Sequence, residues 1–127
     1  MTWYLDTSAF LKLVTFEDES AALRAWYGTA GSVWSSQLLR TEAGRAGLRL
    51  GIEPEVIHRA LDTVSLVLPS VTTFAAAAQL QPVGLRSLDA LHLATALEIG
   101  DELEGLVSYD TRMVEAAQLL SIGVANP

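Results

Sequence analysis

Short apolar runs alternate along the chain with longer amphipathic stretches, and most runs stop on a residue that can start a helix. Trp3-Tyr4-Leu5 is the first run; it ends on Asp6 and passes through Thr7-Ser8 into Ala9-Phe10-Leu11-Lys12-Leu13-Val14. That pattern predicts a buried strand opening a helix, with Thr7 or Ser8 as the cap. A second helix is expected from Ala21 to Tyr27, closed by Gly28 and preceded by Glu17-Asp18-Glu19, where negative charge favours a helix start. Gly31 to Ser36 reads as a second strand, and Ser35-Ser36-Gln37 opens a long helix that Gly51 ends after Leu50. Pro54 suits the first turn of a helix spanning Glu53 to about Thr63. Val64 to Pro69 is a third strand candidate, Thr72-Thr73 start an alanine-rich helix over Phe74 to Leu80, and Gln81 to Leu85 is a loop. Ser87 caps a helical stretch through Ala96, and Gly100 to Gly105 reads as an acidic surface turn. Leu106 to Asp110 repeats the opening pattern, followed by a helix through Leu120 and a last edge strand at Gly123-Val124-Ala125. Strands alternating with helices predict a parallel sheet of about four or five strands covered on both faces, a three-layer α/β/α fold.

Composition narrows the picture. With 127 residues, half of them hydrophobic and 18% charged, the chain is expected to be one domain over 1–127 with a real core. It has no cysteine, which removes disulfides and thiolate chemistry and fits a reducing compartment, so a cytoplasmic location is the default. The apolar start is interrupted by Asp6 and lacks a basic lead, unlike a signal peptide, and no stretch approaches the ~20 apolar residues of a membrane span. A formal net charge of -7 argues against nucleic acid, unless carboxylates are gathered around a divalent cation that reverses the local sign.

The candidate chemistry lies in four acids. Asp6 follows an apolar run, and strand ends in an open parallel sheet are where ligands bind; taken alone, it reads first as a turn or cap residue. Glu42 shares a helix face with Arg45 and Arg49, a spacing that also describes a solvated salt-bridge row. Asp89 falls in a first helical turn, where the positive helix end favours its ionised form. His92, three residues on, is either a metal partner of Asp89 or a hydrogen-bonded packing residue, whereas His58 is expected at the surface. Asp110 ends the second strand-to-acid pattern. In a parallel sheet these four would meet at one edge, and gathered carboxylates call for Mg²⁺ or Mn²⁺ with oxygen ligands. Their mutual repulsion is expected to raise at least one pKa.

At these residues the chain resembles the PIN-domain ribonucleases, and more narrowly the VapC-like toxins of toxin–antitoxin pairs. Four blocks carry the likeness: Tyr4-Leu5-Asp6-Thr7-Ser8-Ala9, Ser36 to Glu42, Ser87-Leu88-Asp89-Ala90-Leu91-His92-Leu93-Ala94, and Tyr109-Asp110-Thr111-Arg112. The resemblance implies a PIN-like α/β/α sandwich, usually dimeric, with Asp6, Glu42, Asp89 and Asp110 as the catalytic acids. Asp6 and Asp89 would be the surest metal ligands, Glu42 and Asp110 would complete the site, and Ser8 would be a hydrogen-bonding neighbour. It implies RNA as substrate, cut by an activated water to leave a 5'-phosphate and a 3'-hydroxyl, and a small VapB-like antitoxin as partner. Arg45, Arg49 and Arg112 are the candidates to hold substrate phosphates. A PIN-like fold kept only for partner binding is the alternative. An aspartate-based phosphatase or receiver domain is disfavoured, because no lysine follows Lys12 and Ser8 stands where the phosphatases need a second Asp.

Overall fold

The computed structural model describes all 127 residues and places the first apolar run at the centre of the sheet. In chain order the elements are β1 (Thr2–Leu5), α1 (Thr7–Val14), α2 (Ser20–Tyr27), β2 (Ser32–Ser36), α3 (Leu38–Leu50), α4 (Pro54–Leu61) and β3 (Ser65–Val67). They continue with α5 (Val71–Ala77), α6 (Ser87–Glu98), a 3-10 turn (Gly100–Glu102), β4 (Leu103–Val107), α7 (Thr111–Leu119) and β5 (Val124–Ala125). The five strands run in the order β3-β2-β1-β4-β5, and every pairing is parallel. The chain thus builds outward from β1 to β3 on one side, then returns to lay β4 and β5 on the other. A crevice opens where the winding reverses, at the carboxyl ends of β1 and β4, because the following segments depart in different directions.

Both sheet faces are buried, as parallel sheets require. One apolar cluster joins Leu5, Val33 and Val107 of the sheet to Phe10 of α1, Leu23 of α2, Leu39 of α3 and Ile57 of α4. The opposite cluster joins Tyr4 and Leu106 to Leu93 of α6 and to Met113, Ala116 and Ala117 of α7. A third, formed by Ala77, Ala90, Leu91 and Ala94, fastens α5 to α6. These layers make the α/β/α sandwich expected from the alternation of strands and helices. No helix is long and apolar enough to cross a membrane.

Several boundaries differ from the sequence reading. Asp6, rather than Thr7 or Ser8, caps α1, its Oδ1 accepting from Ala9 N at 2.9 Å. Ser70, two residues before the expected Thr72 start, caps α5 through reciprocal bonds with Thr73 that satisfy two otherwise free backbone N–H groups. β4 begins at Leu103 inside the stretch read as a turn, and it ends at Val107, so Asp110 caps α7 instead of ending a strand. Glu17 and Glu19, expected to support a helix start, instead hold the Lys12 ammonium at 3.5 and 3.1 Å.

Gly105 explains how β4 fits between its neighbours. It pairs with Trp3, and a Cβ there would stand 2.8 Å from Trp3 Cζ3 and 2.7 Å from the Gly123 carbonyl oxygen. Gly105→Ala is therefore expected to destabilise the fold by about 1–3 kcal/mol through overpacking. Gly44, in α3, would place its Cβ in open space, so Gly44→Ala should stabilise by about 0.5–1 kcal/mol. Urea unfolding of the two variants checks the opposite signs.

Candidate functional site

Asp6, Glu42, Asp89 and Asp110 all line one cavity of about 410 Å³ at the carboxyl edge of the sheet, together with Thr7, Ser8, Arg86, Ser87 and His92. The first contributor is strand register. Leu5 pairs with Val107, and Asp6 N continues the ladder by donating to Val107 O at 3.1 Å, so Asp6 and Ser108 leave the sheet side by side. Ser108 Oγ donates to Asp6 Oδ2 at 2.5 Å, while Ser8 Oγ and Ala9 N donate to Oδ1 at 2.7 and 2.9 Å. Asp6 is only 3% exposed, and burial, opposed by these hydrogen bonds and by His92, raises its pKa. The expected rise in a carboxylate pKa is thus found, but desolvation causes it, not repulsion among the acids.

The other three acids arrive on helices. Glu42, in the second turn of α3, places Oε1 2.5 Å from His92 Nε2. His92 is fully buried on α6, and its Nδ1 lies 2.7 Å from the hydroxyl of Tyr4 on β1. Burial drives the Tyr4 pKa far up and keeps the hydroxyl protonated. One proton order satisfies the whole chain: Tyr4 O–H donates to Nδ1, and Nε2–H donates to the Glu42 carboxylate. Of the two readings of His92, the structure favours the hydrogen-bonded packing residue, with Glu42 rather than Asp89 as its acid. Asp89, in the first turn of α6, faces Arg86 Nε at 3.4 Å. Asp110 accepts from Arg112 N and Met113 N through Oδ1, and its Oδ2 lies 3.9 Å from Arg86 Nη2.

The structure separates the candidate substrate contacts. Ser8 lines the cavity and also accepts from Tyr109 N at 3.0 Å. Arg45 and Arg49 are exposed and do not line it. α3 starts at the crevice and climbs 1.5 Å per residue, so a shared face with Glu42 does not keep the arginines near it; Arg49 stands roughly 10 Å further along the axis. Arg112 lines an adjacent cavity of about 160 Å³ that shares Arg86 and Asp89 with the first. Arg86, Ser108 and Tyr4 were not singled out from the sequence. The one available signal for Arg86 was its position next to the Ser87 start of the Asp89 helix.

The donor set suits a hard divalent cation: four carboxylates and hydroxyls, with no thiolate, since the chain has no cysteine. Thr7 Oγ1 is buried in the cavity wall with no hydrogen-bond partner, and the buried Asp6 charge favours a compensating cation. As the side chains stand, no three Asp, Glu or His groups converge closely enough to ligate one ion, because His92 holds Glu42 and Arg86 engages Asp89 and Asp110.

Comparison with known proteins agrees with this architecture. The PIN domain family model matches residues 3–119. Ribonuclease VapC46 of Mycobacterium tuberculosis is 42% identical over 125 residues, covering 98% of this chain and 96% of that protein. Ribonuclease VapC35 of the same species is 41% identical over 133 residues, with the same coverage of both chains. Among solved structures, M. tuberculosis VapC20, described as a Sarcin-Ricin loop cleaving toxin, superposes with a TM-score of 0.78 at 12% identity, covering 98% of this chain and 99% of that one. A toxin–antitoxin complex from Klebsiella pneumoniae gives a TM-score of 0.69 at 22% identity, covering 98% and 96%.

Two stability measurements check the site. Asp6 has a folded pKa above its ordinary value of 3.8, so between those values the folded state holds more protons than the unfolded one, and stability falls as pH rises through that window. In chelator, wild type should lose stability relative to Asp6→Asn as pH rises from about 4 to 7; parallel melting curves across that range would refute the burial of an ionised Asp6. Tyr4→Phe should cost about 1–3 kcal/mol by leaving His92 Nδ1 buried without a partner, as read by denaturant unfolding.

Proposed function

Since this chain belongs to the PIN-domain family, we propose that it is a metal-dependent endoribonuclease hydrolysing RNA phosphodiester bonds, the toxin of a VapBC-type toxin–antitoxin pair. The observation that carries this reading is the meeting of Asp6, Glu42, Asp89 and Asp110, from four separate segments, around one open cavity. Relatives named Ribonuclease VapC that match over nearly the whole chain support RNA as the substrate.

Asp6 and Asp89 would hold the cation, with Glu42 and Asp110 completing its shell. When bound, Mg²⁺ or Mn²⁺ supplies charge neutralisation and Lewis acidity at the phosphodiester. The chain's own part is positioning. Ser8, Ser108 and the α1 amide fix Asp6, so its oxygens need no reorganisation. His92 and Tyr4 fix Glu42 from the core side.

The partner would be a small antitoxin protein, and the toxin a homodimer acting in the cytoplasm. An apolar groove of about 190 Å³ between α5 and α6, lined by Phe74, Ala77, Ala90 and Leu91, supports an antitoxin route to the acids, because it shares Ser87 with the acid cavity. A basic antitoxin side chain would be the fitting occupant of a site dominated by carboxylates.

Purified, partner-free protein should cleave RNA in Mg²⁺ or Mn²⁺ and stop when the metal is chelated. Asp6→Asn and Asp89→Asn should each lower the rate ~100-fold or more, the scale on which losing one preorganised electrostatic contact acts. Cleavage that persists in chelator and in the double mutant would sink the proposal.

A further inference from the structure

Arg86 is the sole lysine or arginine lining the acid cavity, and none of the expected phosphate contacts shares that position. Its Nε lies 3.4 Å from Asp89 Oδ2 and its Nη2 lies 3.9 Å from Asp110 Oδ2, so one guanidinium spans two of the four acids. Its side chain is 65% exposed, and ion pairs this open are weak and easily exchanged. The other cations are placed elsewhere. Lys12 is engaged by Glu17 and Glu19, Arg45 and Arg49 stand exposed along α3, and Arg112 opens on the neighbouring cavity. Arg86 lines both that cavity and the acid site, which sets its five donors at the junction of the two.

We propose that Arg86 is the residue that grips the substrate phosphate at this site, and that it competes with the divalent cation for Asp89 and Asp110. The inference rests on the nuclease reading above and deepens it. The two halves share one electrostatic cause. Carboxylates that bind the cation have less negative charge to offer a guanidinium, so metal entry weakens the hold of Asp89 and Asp110 on Arg86. The freed fork is then the group nearest the acids that can take a phosphate oxygen pair bidentately, a role an ammonium fills less well. Before that exchange, the positive charge of Arg86 opposes a second cation at the same acids. Arg86 therefore lowers metal affinity and raises RNA affinity. A residue that merely braces the fold produces no such pair of opposite signs. Arg86 makes no side-chain capping bond to the backbone amides of α6, so its removal takes no cap from the helix.

The test uses the full-length protein as wild type, Arg86→Ala and Arg86→Lys. Mn²⁺ binding without RNA is titrated by calorimetry, and RNA cleavage is followed at saturating Mn²⁺ over a series of KCl concentrations. Arg86→Ala should bind Mn²⁺ several-fold more tightly than wild type, yet show a raised KM for RNA with kcat less affected. Its plot of log KM against log salt should be shallower by roughly 0.7, the contribution of one phosphate contact on a single strand. Arg86→Lys should keep the wild-type Mn²⁺ half-saturation and most of the salt slope while losing part of the RNA affinity, because it retains charge without the fork. Wild type that binds Mn²⁺ and cleaves RNA, beside an Arg86→Ala protein with unaltered or weaker Mn²⁺ binding or an unaltered salt slope, overturns this inference alone. Wild type that neither binds Mn²⁺ nor cleaves RNA overturns the nuclease reading, and this inference with it.

Discussion

The structure turns on one buried carboxylate at the end of its central strand. Asp6 follows β1 directly, where the winding of the sheet reverses and the crevice opens. An ionised acid in that place is tolerable only if its oxygens are met by donors, and three are supplied: Ser8, the Ala9 amide and Ser108. These donors tie α1 and β4 to the same point. The α1 cap, the β1–β4 register and the position of Ser108 are thus one arrangement, and burial that raises the Asp6 pKa is its residual cost.

Around this fixed acid the others are held by different partners. Glu42 is tethered from behind by a buried imidazole and a buried phenol, so its orientation is set by the core packed against α6. Asp110 spends one oxygen on the α7 start and turns the other towards Arg86. Asp89 pairs with Arg86. The site therefore joins two acids held by uncharged hydrogen-bond partners, Asp6 and Glu42, to two, Asp89 and Asp110, that face the guanidinium of Arg86.

Much of this was legible in the residues. Three-residue apolar runs, caps and the 3.6-residue periodicity are local properties, and they led to the strands, the helices and the layered class. The four acids were legible for the same reason, since each sits just after an apolar run or near the start of a helix, and a parallel sheet collects such positions at one edge. Two boundaries differ for different reasons: Ser70 starts α5 through its local bonds with Thr73, whereas β4 starts at Leu103 because it pairs there with Thr2, a partner far away in the sequence.

Tertiary structure alone decided the rest. The order of the strands, with β1 central, follows from which faces pack together. The contacts that define the site span great distances in sequence: Tyr4 to His92, Glu42 to His92 and Asp6 to Ser108. Nothing in the neighbourhood of His92 names Glu42, because their approach depends on how α3 and α6 descend on the same sheet edge. The arginines make the same point from the other side. Arg45 and Arg49 share a helical face with Glu42 yet climb away from the crevice, while Arg86, unremarkable beside a helix start, is carried into it. Periodicity specifies which way a side chain points, and only the packed sheet and helices specify what it meets.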